Sequence, residues 1–506
     1  MTDHPQHVNR HSATVWLALF LVLIGTALRA APLIQNRFHP DEALYATLAR
    51  LIVSGRDPWL SQTPLLVDKP PLAYYTLAGF VALTGASELS VRLPSLFASV
   101  LSLALAFRLA RQFWHRWDGA LLSLLLMALS PFAILFAPTA FTDSLMTTGI
   151  LAALSSVASR RWGWGGLWLG VSIAFKQSAL FFIPLIALVG VIHVLMVGNQ
   201  RQPRARWLIF FAALAACLVL MLGWDIARQP APSFWNAAAA VNNPGRVARS
   251  AEVWPRALGW LHWLGYVTAN PLADWFLVVT VSAVIPFEIL LKSDRRRASV
   301  TLILVSFLLA YVAINWLVAF PILDRYLLPL IPLIALLVGR GASLIISRVA
   351  PPSFRAEEMK WAPATLLIVM FCVEMAAPAL AASHSAYPVG GDHGPNDGID
   401  QVAAWLDNQP YGTVIYARGL DWLIRYYMFD AYVFPVYLDT PEQFANDLHV
   451  FGASGPPRYL LLSAAETRLE LDTAAAESGF RLTPALSPTG RASVPTMTLY
   501  RLDPLP

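Results

Sequence analysis

The chain has 506 residues, 57% of them hydrophobic and 13% charged, with a net charge of +5. That composition excludes an ordinary soluble globule and points to a polytopic α-helical membrane protein. Lys and Arg gather in short loops, which reads as topology information and inner-leaflet attraction rather than nucleic-acid binding, and Cys217 and Cys372 lie in apolar segments that offer neither a disulfide framework nor a thiolate metal site.

In chain order, Ala13 to Ala31 is too long for a signal-peptide core and is read as a retained first span. It leads into Arg37-Phe38-His39-Pro40-Asp41-Glu42-Ala43-Leu44-Tyr45, where two adjacent carboxylates stand just outside the bilayer. Carboxylates there lose solvation unless they face water, a cation or a substrate, so they are functional candidates; the bland alternative is a solvated helix start. Val67-Asp68-Lys69-Pro70-Pro71-Leu72 forms a turn, and the short apolar run Ala73 to Leu83 is placed as a re-entrant or interfacial helix. Further crossings are predicted over Leu93 to Ala110, Gly119 to Ala137, Phe141 to Ala158, Trp162 to Phe175, Ser178 to Val197, Trp207 to Trp224, Leu272 to Leu291, Ser299 to Phe320, Tyr326 to Ile346 and Ala362 to Ala382. This makes about eleven spans, and up to thirteen.

With the N terminus in the cytoplasm, five loops on that side carry Arg111 and Arg116; Arg160 and Arg161; Arg201, Arg204 and Arg206; Lys292 and Arg295 to Arg297; and Arg348, Arg355 and Lys360. The same topology collects Asp41, Glu42, Asp68, Lys69, Asp143, Lys176 and Asp324-Arg325-Tyr326 on the opposite, exoplasmic face. None of these fixed the orientation, so their gathering argues for one polar cavity at the outer membrane edge. Singly, Asp143 also reads as a helix cap and Lys176 and Arg325 as snorkelling anchors.

After the last span, residues 383–506 turn richer in Pro, Gly, Asp and Asn and read as a soluble exoplasmic domain, following a membrane domain of residues 1–382 whose first exoplasmic loop covers about 32–92. Gly390 to Gly398 reads as a flexible loop. Beyond it, helices are expected over Ile399 to Asn408 and Leu420 to Phe429, and strands over Gly412 to Ala417, Tyr432 to Leu438, Tyr459 to Ser463 and Thr496 to Leu502, making a small α/β domain.

The segments His39 to Tyr45, Asp68 to Tyr75, Ser87 to Ser95, Thr142-Asp143 and Arg325 to Pro332 together resemble the bacterial branch of the dolichyl-phosphate-mannose protein mannosyltransferases, in the pattern of the aminoarabinose transferases that modify lipid A. The resemblance spans Ala13 to about Ile346. It implies a GT-C glycosyltransferase fold, a long first exoplasmic loop bearing the catalytic carboxylate, and a polyprenyl-phosphate sugar as donor. Relatives often carry Glu-Lys-Pro-Pro where this chain has Asp68-Lys69-Pro70-Pro71. Their later His-containing segment is matched here only by His262 in Trp260-Leu261-His262-Trp263, a tentative metal ligand that also suits an interfacial aromatic role.

The chemistry also follows from the residue types. Sugar transfer from a lipid phosphate needs a base for the acceptor hydroxyl and cations for the leaving phosphate. Asp41 is the expected base, with Glu42 and Asp143 as further catalytic carboxylates. Lys69, Lys176 and Arg325, with the adjoining Tyr326, are the expected donor-phosphate ligands. Glu42, Asp68 and Asp143 either orient these cations or hold a hard divalent metal, with Asp68, Asp143 and His262 its tentative ligands. No nucleotide cofactor is expected, since no Gly-rich phosphate-cradling turn is present. The function expected is an inverting, polyprenyl-phosphate-dependent glycosyltransferase of the bacterial inner membrane, acting on a lipid, glycan or protein acceptor on the exoplasmic side. A transporter or flippase of a lipid-linked or anionic substrate is the alternative, and a non-catalytic assembly partner the third reading.

Overall fold

The computed structural model describes residues 5–196, 203–242, 245–349, 362–451, 455–491 and 493–506. Of the residues singled out above, Arg201, Arg355 and Lys360 lie outside these. The membrane part runs α1 Pro5–Ala30, α2 Pro40–Val53, α3 Pro71–Thr84, α4 Glu88–Trp114, α5 Trp117–Leu129, α6 Pro131–Phe136, α7 Asp143–Ala158, α8 Trp162–Phe175, α9 Ile183–Leu195, α10 Pro203–Ala227, α11 Phe234–Asn242, α12 Ser250–Leu264, α13 Pro271–Leu290, α14 Arg295–Leu317, α15 Ile331–Val349 and α16 Ala362–Ser383.

Among the described residues, eight segments are long and apolar enough to cross a membrane: Ala13–Ile34, Glu88–Trp114, Gln177–Leu195, Arg204–Ala227, Pro271–Leu290, Arg295–Leu317, Asp324–Arg348 and Thr365–Ser383. The protein is therefore an integral membrane protein. The other three expected crossings are helical but shorter. Gly119 to Ala137 divides into α5 and α6 because Ser130, preceding Pro131, is extended (φ −61°, ψ 118°). Asp143–Ala158 has 16 residues and Trp162–Phe175 has 14. The Ala73 to Leu83 run lies in α3, also of 14 residues, about 21 Å of rise.

Glycines set the closest helix approaches. A Cβ on Gly166 of α8 would lie 2.0 Å from the Phe210 carbonyl of α10, and one on Gly339 of α15 would lie 2.2 Å from the Gly119 carbonyl of α5. Missing side chains let these backbones touch, as small residues do between membrane helices. Away from the contacts, Leu208, Val219 and Leu220 of α10 expose their side chains outward, as a lipid-facing surface requires.

The C-terminal unit is an α/β layer structure: α17 Ile399–Leu406, β1 Thr413–Ala417, α18 Asp421–Tyr427, β2 Val433–Tyr437, α19 Pro441–Phe451, β3 Arg458–Ser463, α20 Leu469–Glu477, β4 Phe480–Leu486 and β5 Met497–Pro504. Its sheet has the order β2-β1-β3-β5-β4, parallel across β2, β1 and β3 and antiparallel at β5 and β4. The alternation of strand side chains sends Ile415, Ala417, Leu461 and Leu499 into the core shared with the membrane helices, and Tyr416, Leu460, Leu462 and Leu502 into a second core with α19 and α20. The two helices and four strands expected here are present, with α19, α20 and β4 in addition.

Candidate functional site

The site begins with the way α2 starts. His39 is extended and caps the helix, its Nδ1 accepting from the Asp41 amide at 3.2 Å. Pro40 follows at the first helical position, and Glu42 reaches back to accept from the His39 amide at 2.9 Å. The two adjacent carboxylates are thereby sent to different places. Glu42 is fully buried: Oε1 accepts from the Ala140 amide at 2.8 Å and from Arg92 Nε at 3.2 Å, with Arg92 Nη2 3.4 Å from Oε2. Arg92, itself 1% exposed, also donates to the carbonyls of Leu33, Asn36 and Arg37. Glu42 thus joins the first loop, α4 and the turn before α7.

Asp41 faces the other way and forms an ion pair with Arg325, each side chain about one-fifth exposed. Burial works to raise the Asp41 carboxyl, but Arg325, His39 and Lys69 outweigh it and hold the group below its ordinary value. The guanidinium of Arg325 lies over the Phe141 ring at 5.3 Å.

Around this pair stand two more. Lys176 donates to Asp143 at 2.7 Å, and Lys69 is ion-paired with Asp68. Lys176, in the turn before its span, is drawn down to about 8 by burial, with Asp143 opposing and Arg325 and Lys69 adding to the fall. The fields link the cluster: Asp41 feels Lys69 and Arg325, and Lys176 feels Asp143, Arg325 and Lys69. Gln177 donates to the Asp68 carbonyl at 2.9 Å, and Lys176 lies over the Tyr326 ring at 5.4 Å. The expected exoplasmic charges Asp41, Asp68, Lys69, Asp143, Lys176, Arg325 and Tyr326 are thus in one place.

That place opens into a mainly apolar cavity of about 410 Å³, with Lys176, Arg325 and Tyr326 at its polar end and Leu180, Phe181, Trp235 and Phe320 among its walls. Tyr326 donates to Asn242 Oδ1 at 3.2 Å, which ties α11 to this wall. Asn243 and Pro244, which follow Asn242, lie outside the described residues.

His262 is elsewhere. It is exposed on α12, in ring contact with Trp263 (5.0 Å) and Tyr266 (5.4 Å), the aromatic setting expected as its alternative. Among the described residues no three His, Cys, Asp or Glu side chains converge as metal ligands. Asp41, Asp68 and Asp143 each pair with a cation of the chain, while Asp68 Oδ1 is buried without a hydrogen-bond partner.

Gly390 to Gly398, expected as a flexible loop, packs against the site. The Gly390 amide donates to Asp324 Oδ2 at 2.9 Å, and Asn396 donates to the Phe38 carbonyl at 2.9 Å. A Cβ on Gly391 would sit 3.2 Å from Glu42 Oε2. Within the strap, burial raises the Asp392 carboxyl to about 7, with Asp397 and Glu42 contributing. Asp324, one of the expected exoplasmic charges, is here the acceptor for the strap, whereas Arg92 and the strap itself are parts to which the sequence assigns no role. An arginine within the apolar run of α4 was the available signal for Arg92; the strap contacts carry none.

Residues 68–224 match the family described as dolichyl-phosphate-mannose-protein mannosyltransferase. The undecaprenyl phosphate-alpha-4-amino-4-deoxy-L-arabinose arabinosyl transferase of Pseudomonas aeruginosa (strain UCBPP-PA14) is 29% identical over 278 residues, covering 51% of this chain and 46% of the relative. The protein of the same description from Yersinia pestis (strain Pestoides F) is 25% identical over 294 residues, covering 53% and 51%. The alignments span about half the length of these curated relatives. Among solved structures, ArnT from Cupriavidus metallidurans in the apo state superposes with a TM-score of 0.65 at 18% identity, covering 97% of this chain and 98% of the other. The same protein bound to undecaprenyl phosphate gives 0.61 at 16%, again over 97% and 98%. The Archaeoglobus fulgidus oligosaccharyltransferase complex with Zn and sulfate gives 0.56 at 12%, over 92% and 68%. The chain is thus an integral membrane protein with the GT-C fold, resembling the dolichyl-phosphate-mannose-protein mannosyltransferase family in sequence.

Proposed function

We propose that this protein is a glycosyltransferase that moves one sugar from a polyprenyl-phosphate donor to a hydroxyl of a lipid, glycan or protein acceptor, at the periplasmic face of a bacterial inner membrane. The observation that carries the proposal is the Asp41–Arg325 pair at the polar end of a mainly apolar cavity that also presents Lys176 and Tyr326. An isoprenoid chain suits the apolar walls and its phosphate suits the cations. The relatives that match in sequence are described as undecaprenyl-phosphate aminoarabinose transferases, and one structural neighbour binds undecaprenyl phosphate.

The donor phosphate competes with Asp41 for Arg325. As the guanidinium turns to the phosphate, the carboxylate loses its stabilising neighbour and becomes a stronger base. Asp41 then takes the acceptor proton as the acceptor oxygen bonds to the anomeric carbon. The bond from that carbon to the phosphate oxygen breaks, and polyprenyl phosphate leaves with the electron pair. Lys69, Lys176 and Arg325 stabilise a phosphate that is more negative after cleavage than before, which favours the transition state over bound donor. A single displacement inverts the anomeric centre. Asp143 and Asp68 position the lysines, and Glu42, wholly engaged with Arg92 and backbone amides, positions α2.

The test is Asp41→Asn, assayed for sugar transfer and separately for donor-analogue binding. Turnover is expected to fall by about two to four orders of magnitude, with analogue binding retained. Wild-type turnover in the folded variant would refute Asp41 as the base.

A further inference from the structure

At the end of the bundle opposite Asp41, a cavity of about 380 Å³ opens between the ends of α4 and α9 and the start of α14. Along α4, Arg92 and Phe113 are separated by about 30 Å of helical rise, so this cavity belongs to the other membrane face. His115, Arg296 and Arg297 line it, with Phe113 and Met196 forming the apolar part of its wall. Asp294 is the one carboxylate among the lining residues. It caps α14, accepting from the amides of Arg296 at 3.0 Å and Arg297 at 3.3 Å.

The cations are incompletely satisfied. Arg296 donates through Nη2 to His193 Nε2 at 2.8 Å, and His193 Nδ1 donates to the Val189 carbonyl at 2.9 Å, so the imidazole is a neutral acceptor that cancels no charge. The Nε of Arg296 is buried without a hydrogen-bond partner, whereas Arg111, outside the lining, stacks on the Trp117 ring at 3.6 Å. His115 lies below its ordinary value, through partial burial and then the fields of Arg297, Arg296 and Arg111. Two guanidiniums lining one concave site beside His115 repel each other, and an anion seated between them relieves both the repulsion and the orphaned Nε of Arg296.

We propose that this cavity binds a phosphate group between His115, Arg296 and Arg297, supplied by the headgroup of an anionic membrane lipid or by free phosphate. Its position at the ends of three spans, with an apolar wall beside the cations, suits a lipid headgroup with its chains directed along the helices. The site is separate from the donor cavity, so it stands or falls independently of the proposed transfer reaction.

The experiment compares the full chain with the double variants R296Q/R297Q and R296K/R297K in nanodiscs of phosphatidylcholine, with or without phosphatidylglycerol. Native mass spectrometry reads retained lipid, and calorimetry reads inorganic phosphate binding in discs without phosphatidylglycerol. The parent is expected to retain phosphatidylglycerol selectively, the glutamine variant to hold it about fivefold more weakly for each cation removed, and the lysine variant to stay near the parent. Phosphate binding by the parent that the glutamine variant loses would support the site with free phosphate as a source. Selective lipid retention without phosphate binding would assign the lipid alone. Equal lipid retention in parent and glutamine variant, with no phosphate bound by either, would overturn the proposal. If the glutamine variant does not fold, a parent that neither enriches phosphatidylglycerol nor binds phosphate overturns it equally.

Discussion

Asp41 and Glu42 are neighbours in sequence with opposite environments, and that difference has a measurable outcome. Glu42 is a buried carboxylate answered by Arg92 and two backbone amides, so Glu42→Gln leaves the buried Arg92 guanidinium with Glu88, at 3.6 Å, as its remaining ion-pair partner. Breaking such a pair typically costs about 3–5 kcal/mol, and Glu42→Gln should lower the unfolding midpoint markedly, as read by thermal denaturation in detergent. Asp41→Asn, at a partly exposed pair, should leave the midpoint within a few degrees of the parent. A larger loss for Asp41→Asn would reverse the roles assigned here. The sequence revealed that this pair of acids was unusual but not which member was structural, because the partner that decides it, Arg92, lies 50 residues away. Asp143, Lys176 and Arg325 were legible as a group because charges at span ends on one face are few. Their individual pairings were not, since several opposite-charge combinations satisfy the same topology.

At the level of the elements, helix contacts rest on small residues as much as on apolar stripes. Gly166 leaves no room for a side chain against the Phe210 carbonyl, so Gly166→Leu must push α8 and α10 apart. Overpacking of this kind costs about 1–3 kcal/mol, and the variant should show a lower melting temperature and faster proteolysis than Gly79→Leu, where a Cβ meets nothing within 4 Å. Equal behaviour of the two would show that the close approach is not maintained in the membrane. Helix positions were readable because apolar runs long enough for the bilayer are unambiguous, whereas breaks within them depend on single residues such as Pro131. In the C-terminal unit, α19 offers little apolar signal because its buried stripe rests on Phe444 and Leu448 alone within one short helix, and β4 offers little because Pro484 argues against a strand. At the sheet edge that proline is tolerated.

On the scale of the whole molecule, the C-terminal unit is clamped onto the first loop. Asp430 accepts from Arg50 at 2.6 Å and Arg56 at 3.2 Å, Tyr427 hydrogen-bonds Glu88, and the Gly390 to Gly398 strap bridges to Asp324. The site and this unit therefore share one face, while His115, Arg296 and Arg297 share the other. Single cysteines at the exposed positions Trp59, in the first loop, and Tyr432, in the C-terminal unit, should react with an impermeant reagent from outside the cell, and one at Arg296 only after permeabilisation. Labelling of residue 59 from the cytoplasmic side alone would place the first loop, and Asp41 with it, on the wrong face. The spacing of the two ion pairs of α2 also orders their assembly during synthesis. Arg92 follows Glu42 by 50 residues and Arg325 follows Asp41 by 284, roughly 3–10 s against 14–57 s at ribosomal speeds of about 5–20 residues per second. The buried carboxylate can thus meet its partner while most of the chain is still unmade. The reactive one waits in water until the ninth expected span has been translated, so the proposed base takes up its working environment only once about two-thirds of the chain has been made.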